Sequence, residues 1–509
     1  MMKVEQINKT KSTFLNAIFS ILLTLINGLL SIVVTRLIIQ QYGSDFNGIN
    51  STANQIINVL LVLEGGFTLA SNVALFESIG TGDYKNANGI LNATRTKFKK
   101  IGLFFLIIGI LVAIIYSVFA KTDLSNTLVF SIVLMAVIPQ AINLFAVTVY
   151  RVVLQAQQRE YVVSGFSALT IGLGHIVNII VISHGGKMWV VRFVTMSFAI
   201  LNCFLISEFT RKKNKFLNSK EASRPDLITG TSDVMIQKVT GVIYSSWPII
   251  FLSISANAGT TLASVYAVYN SVMIMIKALL HGVIDAPRLG FGQMLTERDK
   301  KEVWEPFKQY EYISIVFTFI SMTTTSGAIM PFIRMYTKGV NDVNYFDVNI
   351  AVLMILAGSI EMIHIPSGHL MNMAGHFKQS KKFQIISCIV LIISMAVLGN
   401  WNGIYGMLWS LLIVSILLAL LEIRYIHTIF FNEKCVEFIL MGAPYVIFGI
   451  LLSAFELKYS LRITEVSRFM IFTLIMMLIN SCFTLFVSFL FHRKLIISVI
   501  RRVRGFLKM

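Results

Sequence analysis

Residues 14–39 read FLNAIFSILLTLINGLLSIVVTRLII, and Arg36, near the far end, is the one ionisable side chain in this run. A helix needs about 20 mainly apolar residues to cross the hydrocarbon core of a bilayer. The run is too long for the apolar part of a secretory signal peptide and has no clear small-residue cleavage site. It therefore predicts a retained first transmembrane helix, with Arg36 able to reach the interface.

The composition of the whole chain extends this interpretation. Of its 509 residues, 56% are hydrophobic and 13% are charged, and the mean hydropathy is +0.75. A soluble domain has about 25% charged residues, because its surface must be hydrated. A chain so poor in charge must expose apolar surface to lipid, which predicts an all-α polytopic membrane protein. The four cysteines are scattered in apolar runs without a metal or disulfide motif, so we expect no metal and no cofactor.

Hydropathy predicts about fourteen spanning helices. Their approximate ranges are 14–39, 52–77, 101–120, 127–150, 162–183, 189–209, 236–256, 260–283, 311–333, 348–371, 383–399, 404–426, 437–456 and 467–490. The range 189–209 fits least well because it contains Arg192, and 383–399 is short. An even number of crossings places both termini on one side of the membrane.

Lysine and arginine are distributed asymmetrically over the predicted loops. The chain has 43 Lys+Arg against 25 Asp+Glu, a formal net charge of +18. The basic segments are 78–100, 210–235, 284–310, 372–382 and the tail 491–509, and all of them lie inside if the N-terminus is cytoplasmic. A missed helix would reverse this bias in every later loop, so the bias supports both count and orientation. It also explains the charge without a nucleic-acid partner, and it predicts the tail as a basic amphipathic segment on the inner leaflet.

The predicted helices group into two lobes and an extra pair. We expect an N-terminal lobe of six helices over 1–209, a cytoplasmic basic linker over 210–235, and a C-terminal lobe of six helices over 236–430. Two further helices and the basic cytoplasmic tail occupy 431–509. The first and seventh helices run in the same direction, so the lobes are predicted as a parallel pseudo-repeat about an axis along the membrane normal.

Polar side chains recur along one face of the first helix. They follow each other at spacings of three and four, at Thr13, Asn16, Ser20, Thr24, Asn27, Ser31 and Thr35. Such a stripe faces either another helix or a water-filled cavity. Its unbroken length favours a cavity wall, with Thr24, Asn27 and Ser31 as candidate substrate contacts.

Ionisable residues at membrane depth are costly, so each is a candidate for function. Lys277 shares a face of the eighth predicted helix with Tyr266, Asn270 and His281, and these four are candidate substrate contacts. Lys238, at the start of the seventh helix, is a second cationic candidate. Both lysines could alternatively extend to the membrane surface.

Three further ionisable groups are candidate sites for a coupling ion. Glu64 lies near the middle of the second predicted helix, and Glu361 lies roughly one turn before His364 in the tenth. The sequence contains neither a GxxxxGK[ST] run nor HExxH, so an ATP-driven pump or a zinc protease is not supported. A channel, a secondary transporter and a membrane enzyme remain.

Four segments resemble the polysaccharide-transporter branch of the multidrug/oligosaccharidyl-lipid/polysaccharide exporter superfamily. They are TRLIIQQYGSDFNGIN (35–50), LEGGFTLASNVALF (63–76), YAVYNSVMIMIKALLHGVIDAPRLG (266–290) and MAGHFKQSKKF (373–383). The resemblance covers nearly the whole chain and includes the two extra C-terminal helices.

The resemblance implies a non-enzymatic flippase of the bacterial plasma membrane, and the loop charges predict that both termini are cytoplasmic. Relatives move oligosaccharides linked to polyprenyl pyrophosphate to the outer leaflet by alternating access, through a cavity that is often cationic. Lys277 matches such a cation best and Lys238 second, although lysines replace arginines and Glu64 and Glu361 add negative charge. The implied partners are the lipid-linked oligosaccharide, membrane lipids and polysaccharide-assembly proteins, with no nucleic acid.

Two alternatives remain, one within the same superfamily and one from another functional class. An H⁺- or Na⁺-coupled drug or cation antiporter of the same superfamily would use Glu64 and Glu361. A membrane glycosyltransferase or polymerase would need a catalytic loop outside, and the predicted outside loops are short.

Overall fold

The computed structural model describes residues 9–64, 67–228 and 232–506; the side chains of 9–11, 13, 69, 77, 232–237 and 502–506 are not included in this description. The described residues form helices and no strand, which confirms the all-α fold class. The helices are α1 Lys9–Leu60, α2 Phe67–Gly80, α3 Tyr84–Phe119, α4 Asn126–Ile142, α5 Thr148–Ala156, α6 Glu160–Ser183, α7 Met188–Lys213, α8 Ser232–Ile254, α9 Gly259–Ile284, α10 Arg288–Glu297, α11 Lys300–Tyr336, α12 Val348–Ile363, α13 Ile365–Met373, α14 Phe377–Ser394, α15 Asn400–Arg424, α16 Val436–Ser460, α17 Val466–Phe491 and α18 Arg493–Phe506.

In the described part of the chain, 11 helical stretches are long and apolar enough to cross a membrane. Two of them, Phe14–Glu64 and Phe377–Phe430, are interrupted by non-helical backbone at Gly43 (φ 86°) and at Gly403 (φ 52°). Glycine adopts positive φ without the steric penalty that a Cβ brings, so each glycine lets the chain turn within a continuous apolar stretch. Lys238–Ile254 is a shorter apolar helix. The total of about fourteen spans stays a prediction.

The second predicted span is less regular than its hydropathy suggests. It passes from α1 through a 3₁₀ turn at Leu61–Glu64 and then into α2. Glu64 therefore lies at the end of a short turn and not in the middle of an unbroken helix.

Large apolar side chains cover much of the outside of the helices. Phe14, Leu29, Leu440, Leu474 and Leu478 are all more than half exposed in the absence of lipid. Isolated exposed apolar residues are ordinary, but continuous apolar helix faces indicate a lipid environment. The exposure pattern thus agrees with a multi-pass membrane protein.

The chain divides into two compact units, Met1–Ile254 with Gly259–Ser264, and Ser255–Ala258 with Val265–Met509. The first unit has its main core where α1, α3 and α4 pack together. In the second unit α11 is central, since it packs against α12, α16 and α17. The predicted basic tail forms α18, which places Ile496 in this second core. The division into two repeated lobes stays a prediction, because compactness does not test for a repeat.

Arg192, which made the sixth predicted span doubtful, lies buried in α7 within the first unit. Its guanidinium donates to Asn50 Oδ1 at 2.8 Å and to Asn54 Oδ1 at 3.0 Å, both on α1. Amide oxygens thus replace part of the water that the charge loses on burial. The stretch Met188–Lys213 satisfies the criteria for a membrane span in spite of the charge.

Hydrogen bonds connect the start of α9 to α1 within the first unit. The Asp45 carboxylate accepts hydrogen bonds from the hydroxyl groups of Thr122 and Thr260 and, at 3.0 Å, from the backbone N–H of Asp123. One turn further along α1, Gly48 lies so close to Thr260 that a Cβ would overlap the Thr260 carbonyl group. A residue without a side chain is therefore required at position 48.

We expect Gly48→Val to lower the free energy of unfolding by about 1–3 kcal/mol, because the added side chain must push the two backbones apart. Thermal unfolding of the purified protein in detergent measures this effect. Gly28→Ala is the matched control in the same helix, since a Cβ there meets nothing within 4 Å. It should leave stability unchanged or raise it by about 0.5–1 kcal/mol. Equal stability of Gly48→Val and the wild type would contradict the close approach.

Candidate functional site

The two lysines singled out from the sequence each lie beside a carboxylate singled out from the sequence. In the second unit, Lys277 Nζ of α9 lies 3.0 Å from Glu361 Oε2 of α12, and the two side chains are 22% and 27% exposed. Tyr266, which is buried on α9, is close enough to Glu361 to interact with it electrostatically. The pair is neutral overall, and its partial exposure leaves it accessible to another ion.

The first unit holds the second pair. Lys238 Nζ of α8 lies 3.9 Å from Glu64 Oε2, with side-chain exposures of 39% and 19%. Glu64 also accepts a hydrogen bond from the Thr68 hydroxyl of α2. The longer distance and the greater exposure of the lysine make this the weaker of the two ion pairs.

Glu64 lies in the wall of a cavity of about 540 Å³ within the first unit. The wall is rich in neutral polar groups and contains one arginine. The polar lining residues are Glu64, Thr68, Gln140, Asn143, Thr148, Arg151, Gln155, Thr170, His175, Asn178, Thr195 and Asn202. Such a lining can hydrogen-bond a polar ligand at several points around it.

Several of these lining residues were not among the sequence-based candidates. Gln140, Asn143, Arg151 and Gln155 lie on α4, on α5 and on the π-helical turn Asn143–Val147 between them. The available signal was a polar run that, with Thr148 included, has spacings of three, five, three and four.

The polar stripe of α1 has mixed surroundings. Asn16 bonds to the α5–α6 turn, and Asn27 Oδ1 lies 3.3 Å from Nε2 of the cavity residue His175. Thr24 and Ser31 instead donate to carbonyl groups of their own helix at 2.9 and 3.1 Å. Part of the stripe therefore packs against α6, and the side chain of Thr13 lies outside the described residues.

The remaining candidates of the second unit are dispersed. Asn270 is half-buried on α9, and His281 Nδ1 lies 3.2 Å from Asp285 Oδ1 at the end of the same helix. His364 does not join the Lys277–Glu361 pair, because the helix breaks between α12 and α13 at this residue. Its Nδ1 lies 2.8 Å from Glu422 Oε2 of α15, in a buried position.

A second buried histidine–carboxylate pair lies in the same unit. His427 Nε2 lies 3.0 Å from Glu311 Oε1, and Ser367 donates to that oxygen at 3.3 Å. Glu311 and His427 are far apart in sequence and on different helices. No spacing pattern could have joined them.

The Lys277–Glu361 contact can be tested through stability. Lys277→Met should lower the free energy of unfolding by about 1–3 kcal/mol, because it leaves a half-buried carboxylate without its partner. The double variant Lys277→Met/Glu361→Gln should recover at least half of the loss in a thermal unfolding assay. Arg468→Met, which breaks the exposed Arg468–Glu465 pair, is the control and should change stability by less than about 1 kcal/mol. Additive losses in the double variant would show that the pair does not interact.

No protein-family model and no curated protein sequence matches the chain. Several solved structures do match in three dimensions. The lipid II flippase MurJ in an inward closed conformation gives a TM-score of 0.68 at 14% identity, covering 94% of this chain and 100% of that one. An inward-facing multidrug resistance MATE family transporter of the MOP superfamily gives 0.64 at 12% identity, covering 79% and 97%.

A third match is the MATE multidrug transporter DinF-BH, with a TM-score of 0.54 at 15% identity and coverages of 85% and 98%. At these identities the likeness establishes the fold. The chain therefore has the helical membrane fold that MATE transporters of the MOP superfamily share with the lipid II flippase MurJ.

Proposed function

We propose that the chain is a flippase that moves polyprenyl-pyrophosphate-linked oligosaccharide repeat units across the bacterial plasma membrane by alternating access. It would serve the synthesis of a cell-surface polysaccharide, with both termini in the cytoplasm. The observation that carries this proposal is the partly exposed Lys277–Glu361 pair, which joins two predicted spans of the second unit.

The pair suits a ligand that must bind and then leave. Without a ligand, Glu361 neutralises Lys277 and keeps the lysine from being an isolated charge in the membrane. A pyrophosphate group would offer Lys277 stronger charge-assisted hydrogen bonds than one carboxylate does. When the ligand leaves, Glu361 would pair with Lys277 again. The lysine would therefore have an anionic partner both before and after the ligand binds.

Neutral polar groups would contact the sugars. Asn270 lies on the same helix as Lys277, and its side-chain amide can both donate and accept hydrogen bonds. The matched structures include a lipid II flippase as well as multidrug transporters, so the fold is compatible with a flippase.

A drug or cation antiporter is the second candidate, since two of the matched structures are multidrug transporters. It would need carboxylates that are available to a cationic drug. Glu64 and Glu361, its best candidates, both have lysine partners. This pairing favours the flippase. We propose no enzymatic activity, because the matched proteins named above are transporters or flippases.

Lys277→Ala should abolish polysaccharide export in cells that lack the native gene, because the headgroup loses its cationic partner. Lys277→Arg should retain much of the export, since it keeps the charge and the donors. Lys212→Ala, at a highly exposed lysine of α7, is the matched control. Surface polysaccharide is measured with the amount of protein in the membrane held equal. Full export by Lys277→Ala would overturn the assignment.

Deletion of the gene separates the two candidate functions. We expect loss of surface polysaccharide, accumulation of the lipid-linked repeat unit, and unchanged resistance to cationic drugs. Resistance is measured as the inhibitory concentration of a panel of such drugs. Loss of resistance with normal polysaccharide would favour the antiporter.

A further inference from the structure

Glu456 differs from the other buried carboxylates of the second unit. It lies on α16, close to the helix end at Ser460, and is 1% exposed. Glu311 and Glu422 each have a histidine partner. For Glu456, neither carboxylate oxygen has a hydrogen-bond partner among the described residues.

Two neighbouring helices of the second unit, α11 and α17, pack against this carboxyl group. Gly327 of α11 lies directly against it, since a Cβ on Gly327 would come within 2.7 Å of Glu456 Oε2. Asn480 of α17 lies beside it. Asn480 donates through Nδ2 to Thr324 Oγ1 at 3.0 Å, but its own buried Oδ1 receives no hydrogen bond from the described residues.

The charged groups on these helices are engaged elsewhere or lie apart from Glu456. On α11, Arg334 donates to the backbone carbonyl group of Leu461. On α17, Arg468 pairs with Glu465 at 3.0 Å. On α16 itself, Lys458 makes no hydrogen bond to Glu456, since neither Glu456 oxygen has a partner in the described part of the chain. No described cation therefore compensates a negative charge at this position.

A single proton on Glu456 would provide a hydrogen-bond partner both for the carboxyl group and for Asn480 Oδ1. An ionised carboxylate that is buried without a partner is strongly unfavourable, and such a group becomes neutral instead. A protonated carboxyl group carries an O–H donor, and Asn480 Oδ1 is an acceptor without a donor. A hard metal cation such as Ca²⁺ or Mg²⁺ takes about six or more oxygen ligands, which is more than these two residues supply.

We infer that Glu456 is a proton-binding site of this transporter and that its proton is exchanged during the transport cycle. In its protonated form the carboxyl group donates to Asn480 Oδ1, which the ionised form cannot do. When the end of α16 opens, the O–H bond breaks and water accepts the proton, and a later proton from water restores the neutral acid. The coupling role rests on the proposed transport function, whereas the bound proton does not.

Infrared spectroscopy of the purified full-length protein in lipid nanodiscs tests whether the proton is bound. At neutral pH we expect the carbonyl band of a protonated carboxyl group that Glu456→Gln removes. The control Glu437→Gln alters an exposed carboxylate on the same helix and should leave that band in place. An unchanged band in Glu456→Gln would overturn the proposal.

If Glu456→Gln does not accumulate, Asn480→Ala gives the same information. It removes the proposed acceptor and should shift the carbonyl band of Glu456, and an unshifted band would count against the hydrogen bond. A rise in the thermal stability of the wild type with added Na⁺, absent in Glu456→Gln, would also overturn the proposal, because it would assign the site to sodium.

Transport tests the coupling. Glu456→Gln replaces the neutral acid by a neutral amide of the same shape, so we expect normal membrane levels and thermal stability. Polysaccharide export should fall at least tenfold and lose its response to the proton gradient, while Glu437→Gln behaves as the wild type. Wild-type export by Glu456→Gln would refute a coupling role. If deletion of the gene leaves polysaccharide intact, the proposed function fails, and the infrared result still decides the proton site.

Discussion

A polar or charged group at membrane depth cannot be solvated by water, so it must find its partner inside the protein. This constraint runs through both units. Arg192 donates to two amide oxygens of α1, and Lys277 pairs with Glu361. Buried histidines lie against Glu311 and Glu422. The helices are positioned so that these partners meet, and the apolar surface outside them needs only lipid.

The same constraint explains why some residues that the sequence predicts as separate sites form pairs in the structure. Lys277 and Glu361 were recognised as costly charges, each with a possible role of its own. Their proximity makes them one neutral unit, which changes the chemistry available to each. A carboxylate held by lysine is a poor site for a cation, whereas a lysine held by a carboxylate can exchange it for a phosphate. Because both carboxylates have lysine partners, our proposal does not assign the binding of a coupling ion to Glu64 or Glu361.

In the sequence Glu456 ends the predicted span 437–456 and Lys458 follows closely, a pattern typical of a membrane interface. The packing of α11, α16 and α17 buries it beside Gly327 and Asn480. The three groups lie on three different helices, so no sequence pattern relates their positions. Only their packing makes the group a candidate for proton binding.

The sequence by itself determined the all-α membrane fold class, because apolar length and low charge are properties of each segment taken alone. It also identified Lys238, Lys277, Glu64 and Glu361 as charges that need an explanation. The tertiary structure decided which of them are partners, and it revealed the lining around Arg151, the Glu311–His427 pair and the unpartnered Glu456. Periodicity places a side chain on a face of its own helix, but partners on separate helices are set by packing, which no local pattern encodes.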